Sequence, residues 1–333
     1  MTITIREIDP AGADAVPTLL PLLQVAQAAD SPLQPEPTAD YLRWFIAPRA
    51  DWHTACLVAY DGDGSADAGA KQPVGYGRLT HDSVANPDLV MGDMWIAVQD
   101  RVEVTGPLLD AYKAHTRSRG AARLVLDTSE YSGYETLYAA AGGRVVNADR
   151  RRQLDLTAID REQYAKWAEP SEKNAHYRIE IWRTPTAEHL LGPLAEANEA
   201  MRDAPHGELA YQNPPPDVDR RRRGEADSLA AGTQMYIAAA LTEDGEIAGF
   251  HEVNVFPDFR MADVGNTGVP AAFRGHGLGL RLKALLTLHL LEHEPQLDVI
   301  ATWNNADNAP MARVNEAMGY EVAEGWTTWE FGV

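Results

Sequence analysis

Alternating and helix-spaced runs of apolar residues follow one another along this chain in the same order twice. Short alternating runs open each half, "TITIREI" at 2–8 and "HYRIEIW" at 176–182, and they predict half-buried strands. An Ala- and Leu-rich stretch with helical spacing follows each, "AVPTLLPLLQVAQAA" and "AEHLLGPLAEANEAM". Two strands around a polar turn come next, "TACLVAYDGDG…QPVGYGRLT" in the first half and "MYIAAALTEDGEIAGFHEVNVF" in the second. The Asp-Gly of "TEDGEIAG" accepts positive φ at little cost, which marks a hairpin. Each half then reads strand, long helix, strand, final helix. These are "MGDMWIAV", "TGPLLDAYKAHTRSRG", "ARLVLDT" and "SGYETLYAAAGGRVV", then "MADVGNTGV", "GLGLRLKALLTLHLLEHEP", "LDVIATWN" and "NAPMARVNEAMGYEVA". A helix between two strands implies a parallel crossover within each sheet.

The repeat predicts an α/β chain of two similar domains, each a mixed twisted sheet flanked by helices, over residues 1–155 and 176–333. A linker is expected at 156–175, where "DREQYAKWAEPSEKNA" is polar and lacks an apolar period. The Pro-rich "YQNPPPDVDRRRRG" at 211–224 reads as a surface loop, with Arg220 to Arg223 solvated.

Composition narrows the class. The chain has 333 residues, 45% hydrophobic and 23% charged, which suits a soluble protein of two ordinary domains or one large one. No apolar run approaches the roughly 20 residues of a membrane span. "MTITIREIDP" has no signal-peptide core, so a cytoplasmic location and no membrane partner are expected. The single Cys56 excludes an internal disulfide and a multi-cysteine metal site. His289 and His293 are spaced i, i+4 among leucines and read as surface or core residues, so no metal is expected. A net charge of −20 argues against nucleic acid, whose phosphates need a basic face, and is compatible with a cationic substrate such as an amine.

One loop carries chemistry. "FRGHGLG" at 273–279 stands between a strand and a long helix, where exposed amides and a helix N-terminus can meet an anion. Gly275, Gly277 and Gly279 allow close backbone approach, and Arg274 adds a guanidinium suited to phosphate. The dinucleotide fingerprint fails at Leu280, and the Gly-Lys-Ser/Thr of a P-loop is missing.

The segment "VPAAFRGHGLG" resembles the acetyl-CoA pyrophosphate loop of the GNAT superfamily of acyltransferases, through Arg274, Gly277 and Gly279. "NAPMARVNEAMGY" is similar to that fold's last motif, with Asn308, Gly319 and Tyr320 in its places. Together with "MRDAPHGEL" and "TWNNADN", these stretches resemble a tandem GNAT group of actinobacterial type. The resemblance implies two tandem domains of the α+β GNAT fold, acetyl-CoA as cosubstrate, and direct acetyl transfer to a primary amine of a small molecule, whether amine, amino acid or aminosugar. It places the pantetheine arm along the backbone of Thr267, Gly268 and Val269, on a strand that Gly265 and Gly268 interrupt. The pyrophosphate falls to Arg274, Gly275, His276, Gly277, Leu278 and Gly279, and Asn304, Asn308 and Asn315 complete the cofactor set.

A base must take the amine proton, and Asp263 or Glu252 is the candidate. His251 and Glu252 are adjacent on one strand, so only one of them faces the site. Asn315 stands where many relatives carry a tyrosine for the leaving thiolate, and an amide cannot serve as general acid. Asp203, His206 and Glu208 either cover the acceptor pocket or build a helix-terminating turn. In the first half "EVTGPL" (103–108) falls opposite "RGHGLG". Glu103 replaces the arginine, only Gly106 remains and Pro107 alters the helix entry, which implies a degenerate copy. A non-enzymatic acyl-CoA-binding protein and a protein N-acetyltransferase are the alternative functions, and the chain is expected to be a monomer or homodimer.

Overall fold

The computed structural model describes residues 2–62 and 72–333, so the polar turn expected near "DGDG" runs into 63–71, outside the described residues. The chain divides into two units. One comprises Met1–Asp149, His206–Tyr211 and Glu324–Val333, the other Arg150–Pro205 and Gln212–Ala323.

The first unit contains β1 (Ile3–Ile8), α1 (Ala15–Asp30), α2 (Ala39–Ile46), β2 (His53–Asp61), β3 (Pro73–His81), β4 (Leu89–Ile96), α3 (Arg101–Ser118), β5 (Arg123–Ser129) and α4 (Glu135–Ala140). Strand β6 (Arg144–Asp155) contains the boundary between the units. The second unit holds α5 (Arg161–Ala168), β7 (Arg178–Arg183), α6 (Glu188–Ala197), α7 (Val218–Ala230), β8 (Gln234–Leu241), β9 (Ile247–Val255), β10 (Met261–Gly268), α8 (Leu278–His293), β11 (Val299–Asn305) and α9 (Ala309–Ala317). The last strand, β12 (Glu321–Gly332), returns to the first unit from Glu324 onward.

The strands of each unit are mixed in direction and include one from the other half of the sequence. Their order is β1-β2-β3-β4-β5-β12 in the first unit and β6-β11-β10-β9-β8-β7 in the second. β12 pairs antiparallel with β5 from Trp326↔Ser129 to Gly332↔Arg123. It places Trp329 and Phe331 in the first core beside Tyr112 and Tyr138. The expected limits 1–155 and 176–333 therefore need correction at both ends. Alternation marks β6 and β12 as strands but carries no information on which neighbours they pair with.

The expected linker is also ordered. Asp160 caps α5 by accepting from the amides of Glu162 (3.1 Å) and Gln163 (3.0 Å). Tyr164 is buried and donates to the Met318 carbonyl at 2.7 Å, so 156–175 contributes to the second core. Its apolar contacts are too sparse to show a period in sequence. Within "YQNPPPDVDRRRRG" the loop stops at Asp217, whose side chain accepts from the Arg220 amide and starts α7. Arg221 is drawn inward from that helix and is not solvated as the arginine run suggested.

No glycine loop precedes α3, the helix that corresponds to α8. A short 3-10 turn, Val98–Asp100, leads straight into α3, so residues 103–108 are all helical. The buried Arg101 side chain occupies this place, donating to Asp30 (2.6 Å) and to the carbonyls of Ile96 and Ser132, with Tyr134 beneath its guanidinium.

Candidate active site

The second unit's site begins where two strands part. β10 pairs in parallel with β11 only at Met261, Ala262 and Asp263. On its other edge β10 keeps pairing with β9 as far as Gly268↔Phe250, with a bulge between Val264 and Thr267. The bulge adds a residue and turns β10 away from β11, leaving the backbone of Thr267 and Gly268 outside the β11 ladder. Gly268 is required for packing, since a Cβ there would lie 2.5 Å from the Phe250 ring.

The chain then turns through Ala271–Phe273 into the glycine loop. Gly275 (φ 82°) and Gly277 (φ 76°) adopt the left-handed conformation that favours glycine. Added Cβ atoms at Gly275 and Gly279 would meet open space, and Gly277 is the uncapped N-cap of α8. Open space over a turn of amides at a helix N-terminus is the geometry of an anion site. Arg274 donates to the Val269 carbonyl at 3.0 Å and to Asp203 at 2.7 Å, with its guanidinium half exposed.

Residues missed in the sequence hold this loop from behind. Asn174 donates to the His276 carbonyl at 3.0 Å and accepts from Arg281 at 3.2 Å. Arg281 also donates to the Ala168 and Asn174 carbonyls. The His276 ring meets the Tyr177 hydroxyl at 2.7 Å, so its side chain is committed there. Only "GL" followed by an arginine on the first turn of a helix hinted at such a clamp.

Of the paired candidates on β9, His251 is buried against Thr267 (Nδ1 to Oγ1, 2.8 Å) and Glu252 faces the other way. Glu252 is 2% exposed and accepts from Arg221 at 2.6 Å, and Arg221 also donates to Glu225 at 2.7 Å. Glu225 in turn accepts from the amide and hydroxyl of Thr186, both at 2.7 Å. A cavity of about 330 Å³ lies over this network, lined by Glu252, Gly265 and Asn266 on the sheet side and by α6, α7 and Pro214–Pro216 elsewhere.

Asp263 sits two residues before Gly265 on β10, about 7 Å along the same face of the strand. Its Oδ1 is buried without a hydrogen-bond partner, and burial pushes the carboxyl up to about 7 against the opposing pull of the Arg151 guanidinium. Arg151 itself lies 5.8 Å from the ring of Trp303 on β11, which is 39% exposed. On the α8 side, Lys283 is buried with Nζ unpartnered over the Tyr320 ring, and burial lowers its amine to about 7.

Asn308 caps α9 by accepting from Met311, and Asn315, fully buried on that helix, donates to Asn304 at 2.6 Å. Tyr320 packs in the core. The acceptor candidates are divided: Asp203 stays in the second unit on Arg274, while His206 and Glu208 belong to the first, where Glu208 pairs with Arg144 at 2.6 Å. His289 and His293 stack on each other at 3.9 Å, and no group of metal-binding side chains occurs among the described residues. Nor does any helix among them have the length and apolar character to cross a membrane.

No protein-family model and no curated protein sequence matches the chain. Solved structures do. A tandem GNAT protein from the clavulanic acid biosynthesis pathway, solved without acetyl-CoA, is similar over 99% of this chain and 98% of its own, with a TM-score of 0.80 and 21% identity. A GCN5-related N-acetyltransferase from Sphaerobacter thermophilus matches over 99% and 95%, with a TM-score of 0.63 and 15% identity. The Saccharomyces cerevisiae N-myristoyltransferase with bound myristoyl-CoA and inhibitors matches over 99% and 80%, at 0.62 and 11%. With the parted strands and the glycine turn already in place, these likenesses identify the architecture: the chain carries the tandem GNAT fold.

Proposed function

We propose that the second unit is an acetyl-CoA-dependent N-acetyltransferase acting on a primary amine of a small molecule. The observation that carries this is the open edge of β10 leading onto the turn at Gly275–Gly279, where the Cβ positions of Gly275 and Gly279 face open space and no side chain caps α8. Thr267–Val269 would pair with the pantetheine arm as an added strand does, and the loop amides with Arg274 would hold the pyrophosphate. Acetyl-CoA supplies the thioester, and the chain's residues position the amine and move its proton. Asp263 takes that proton, directly or through a water, because its raised carboxyl is matched to neutral pH. Asn315 is fully buried with its amide donating to Asn304, and an amide cannot protonate a thiolate, so solvent supplies that proton.

Titration calorimetry should find one acetyl-CoA site per chain, since α3 offers no amide turn in the first unit. Gly277→Asp should abolish binding while the circular dichroism stays unchanged. Two comparable sites, or a mutant still stabilised by acetyl-CoA, would remove this loop from the reading. The buried Asn315 at the thiolate position favours one rival, an acyl-CoA-binding protein without turnover. Absence of thiol release across an amine panel, with acetyl-CoA bound, would select that rival.

A further inference from the structure

The cavity beside β10 restricts the acceptor further, an inference that rests on the acetyltransferase reading above. Its volume of about 330 Å³ lies at the small end of ligand clefts. Much of its wall is apolar, from Leu194, Ala195, Met235 and the three consecutive prolines Pro214–Pro216. Its polar groups are mostly engaged with one another. Arg221 is held between Glu225 and Glu252, both buried, and Asn266 donates to Asn198 at 3.2 Å.

The balance of charge is acidic. Two buried carboxylates share one guanidinium, while Asp217 and Arg220 come from the same turn of α7 and offset each other. Gly265 keeps a space open beside Glu252, because a Cβ there would lie 3.3 Å from the Glu252 Cβ and 3.6 Å from Oε2. That space adjoins the bulged segment of β10 that leads to Thr267, the proposed path of the thioester arm.

We propose that the acceptor is a compact primary amine with an apolar body and a single cationic group, received as an ammonium by Glu252. An aminosugar would bury several hydroxyls against prolines and Met235, leaving them without partners. An amino acid would bring a carboxylate against Glu225 and Glu252, whose only intervening cation is already shared between them. In the transfer the ammonium first loses a proton to the base, the freed amine nitrogen forms a bond to the acetyl carbon, the carbon–sulfur bond breaks to release the CoA thiolate, and the nitrogen's second proton passes to solvent to leave the neutral amide.

The test uses the full chain with acetyl-CoA and three acceptors: 2-phenylethylamine, glucosamine and alanine. Thiol release should give 2-phenylethylamine a kcat/KM at least about a hundredfold above the other two. Calorimetry in the presence of CoA should show 2-phenylethylamine binding as well. Glu252→Gln should raise its KM about tenfold or more with acetyl-CoA affinity unchanged. Gly265→Ala, which narrows the same space without removing a charge, should do likewise should the Gln variant fail to fold. Preference for glucosamine or alanine, or no binding of 2-phenylethylamine to the CoA-loaded protein, overturns the acceptor class and leaves the acetyltransferase reading standing. Failure to bind acetyl-CoA at all would instead overturn the parent reading.

Discussion

At the scale of single residues, Asp263 distinguishes a catalytic role from a structural one. Its carboxyl rises from 3.8 to about 7 through burial, so between these values the folded chain holds a proton that the unfolded chain has lost. Its contribution to stability is therefore intact below about pH 4, declines as pH rises towards 7, and stays lost above. Asp263→Asn resembles the protonated acid, so it should change Tm little at pH 4.5 and raise it at pH 8. The same variant should lose about 10²–10⁴ in kcat with acetyl-CoA affinity unchanged. Thermal scans at the two pH values and initial rates check both halves. A variant with wild-type kcat would leave Glu252 or bulk water as the proton acceptor.

At the scale of elements, the loop before α8 is shaped by glycine and held by a clamp from the segment before β7. Asn174 bonds the His276 carbonyl and is itself gripped by Arg281 of α8. Asn174→Ala removes this tether but leaves Gly275, Gly277 and the helix in place. Each lost hydrogen bond is worth about 0.5–1.5 kcal/mol net, so acetyl-CoA affinity should fall roughly tenfold with helix content unchanged. Unaltered affinity by calorimetry would show that the turn is preorganised by its glycines alone. The same comparison supports the proposal of a single site per chain. A helix that starts directly behind a strand, with Arg101 folded inward, presents no arc of free amides.

At the scale of the whole molecule, each unit takes in a strand from the other half of the sequence. The first core depends on Trp329 and Phe331 of β12, with Trp329 edge-on to Tyr138 and its indole N–H donating to Thr128 at 3.1 Å. A fragment of residues 1–155 should therefore remain unfolded by circular dichroism and gain cooperative structure when a peptide of residues 321–333 is added. In the full chain, Trp329→Ala should cost about 3–5 kcal/mol in urea unfolding. Cooperative folding of the fragment alone would make β12 dispensable to that core.

Local signals in the sequence determined the elements and the loop. Period-two and helical apolar spacing located most strands and helices, Asp-Gly located the hairpin of the second half, and "RGHGLG" at a strand-to-helix junction located the glycine turn, because each of these depends on residues close in the chain. The interruption of β10 at Gly265 and Gly268 was legible for the same reason, and the bulge lies there. What depended on distant partners was not legible. Alternation is the same in β6 and β12 whichever strands they pair with, so only tertiary pairing decided their places in the order. The run Arg220–Arg223 looks uniformly solvated until α7 turns Arg221 onto Glu252 and Glu225. Asn174 in a polar stretch carries no local mark, since its role comes from a carbonyl 102 residues away. And the choice of Glu252 over its neighbour His251 for the pocket face followed from the register of β9 against β10, which is fixed by packing on both sides of the sheet and not by the strand's own residues.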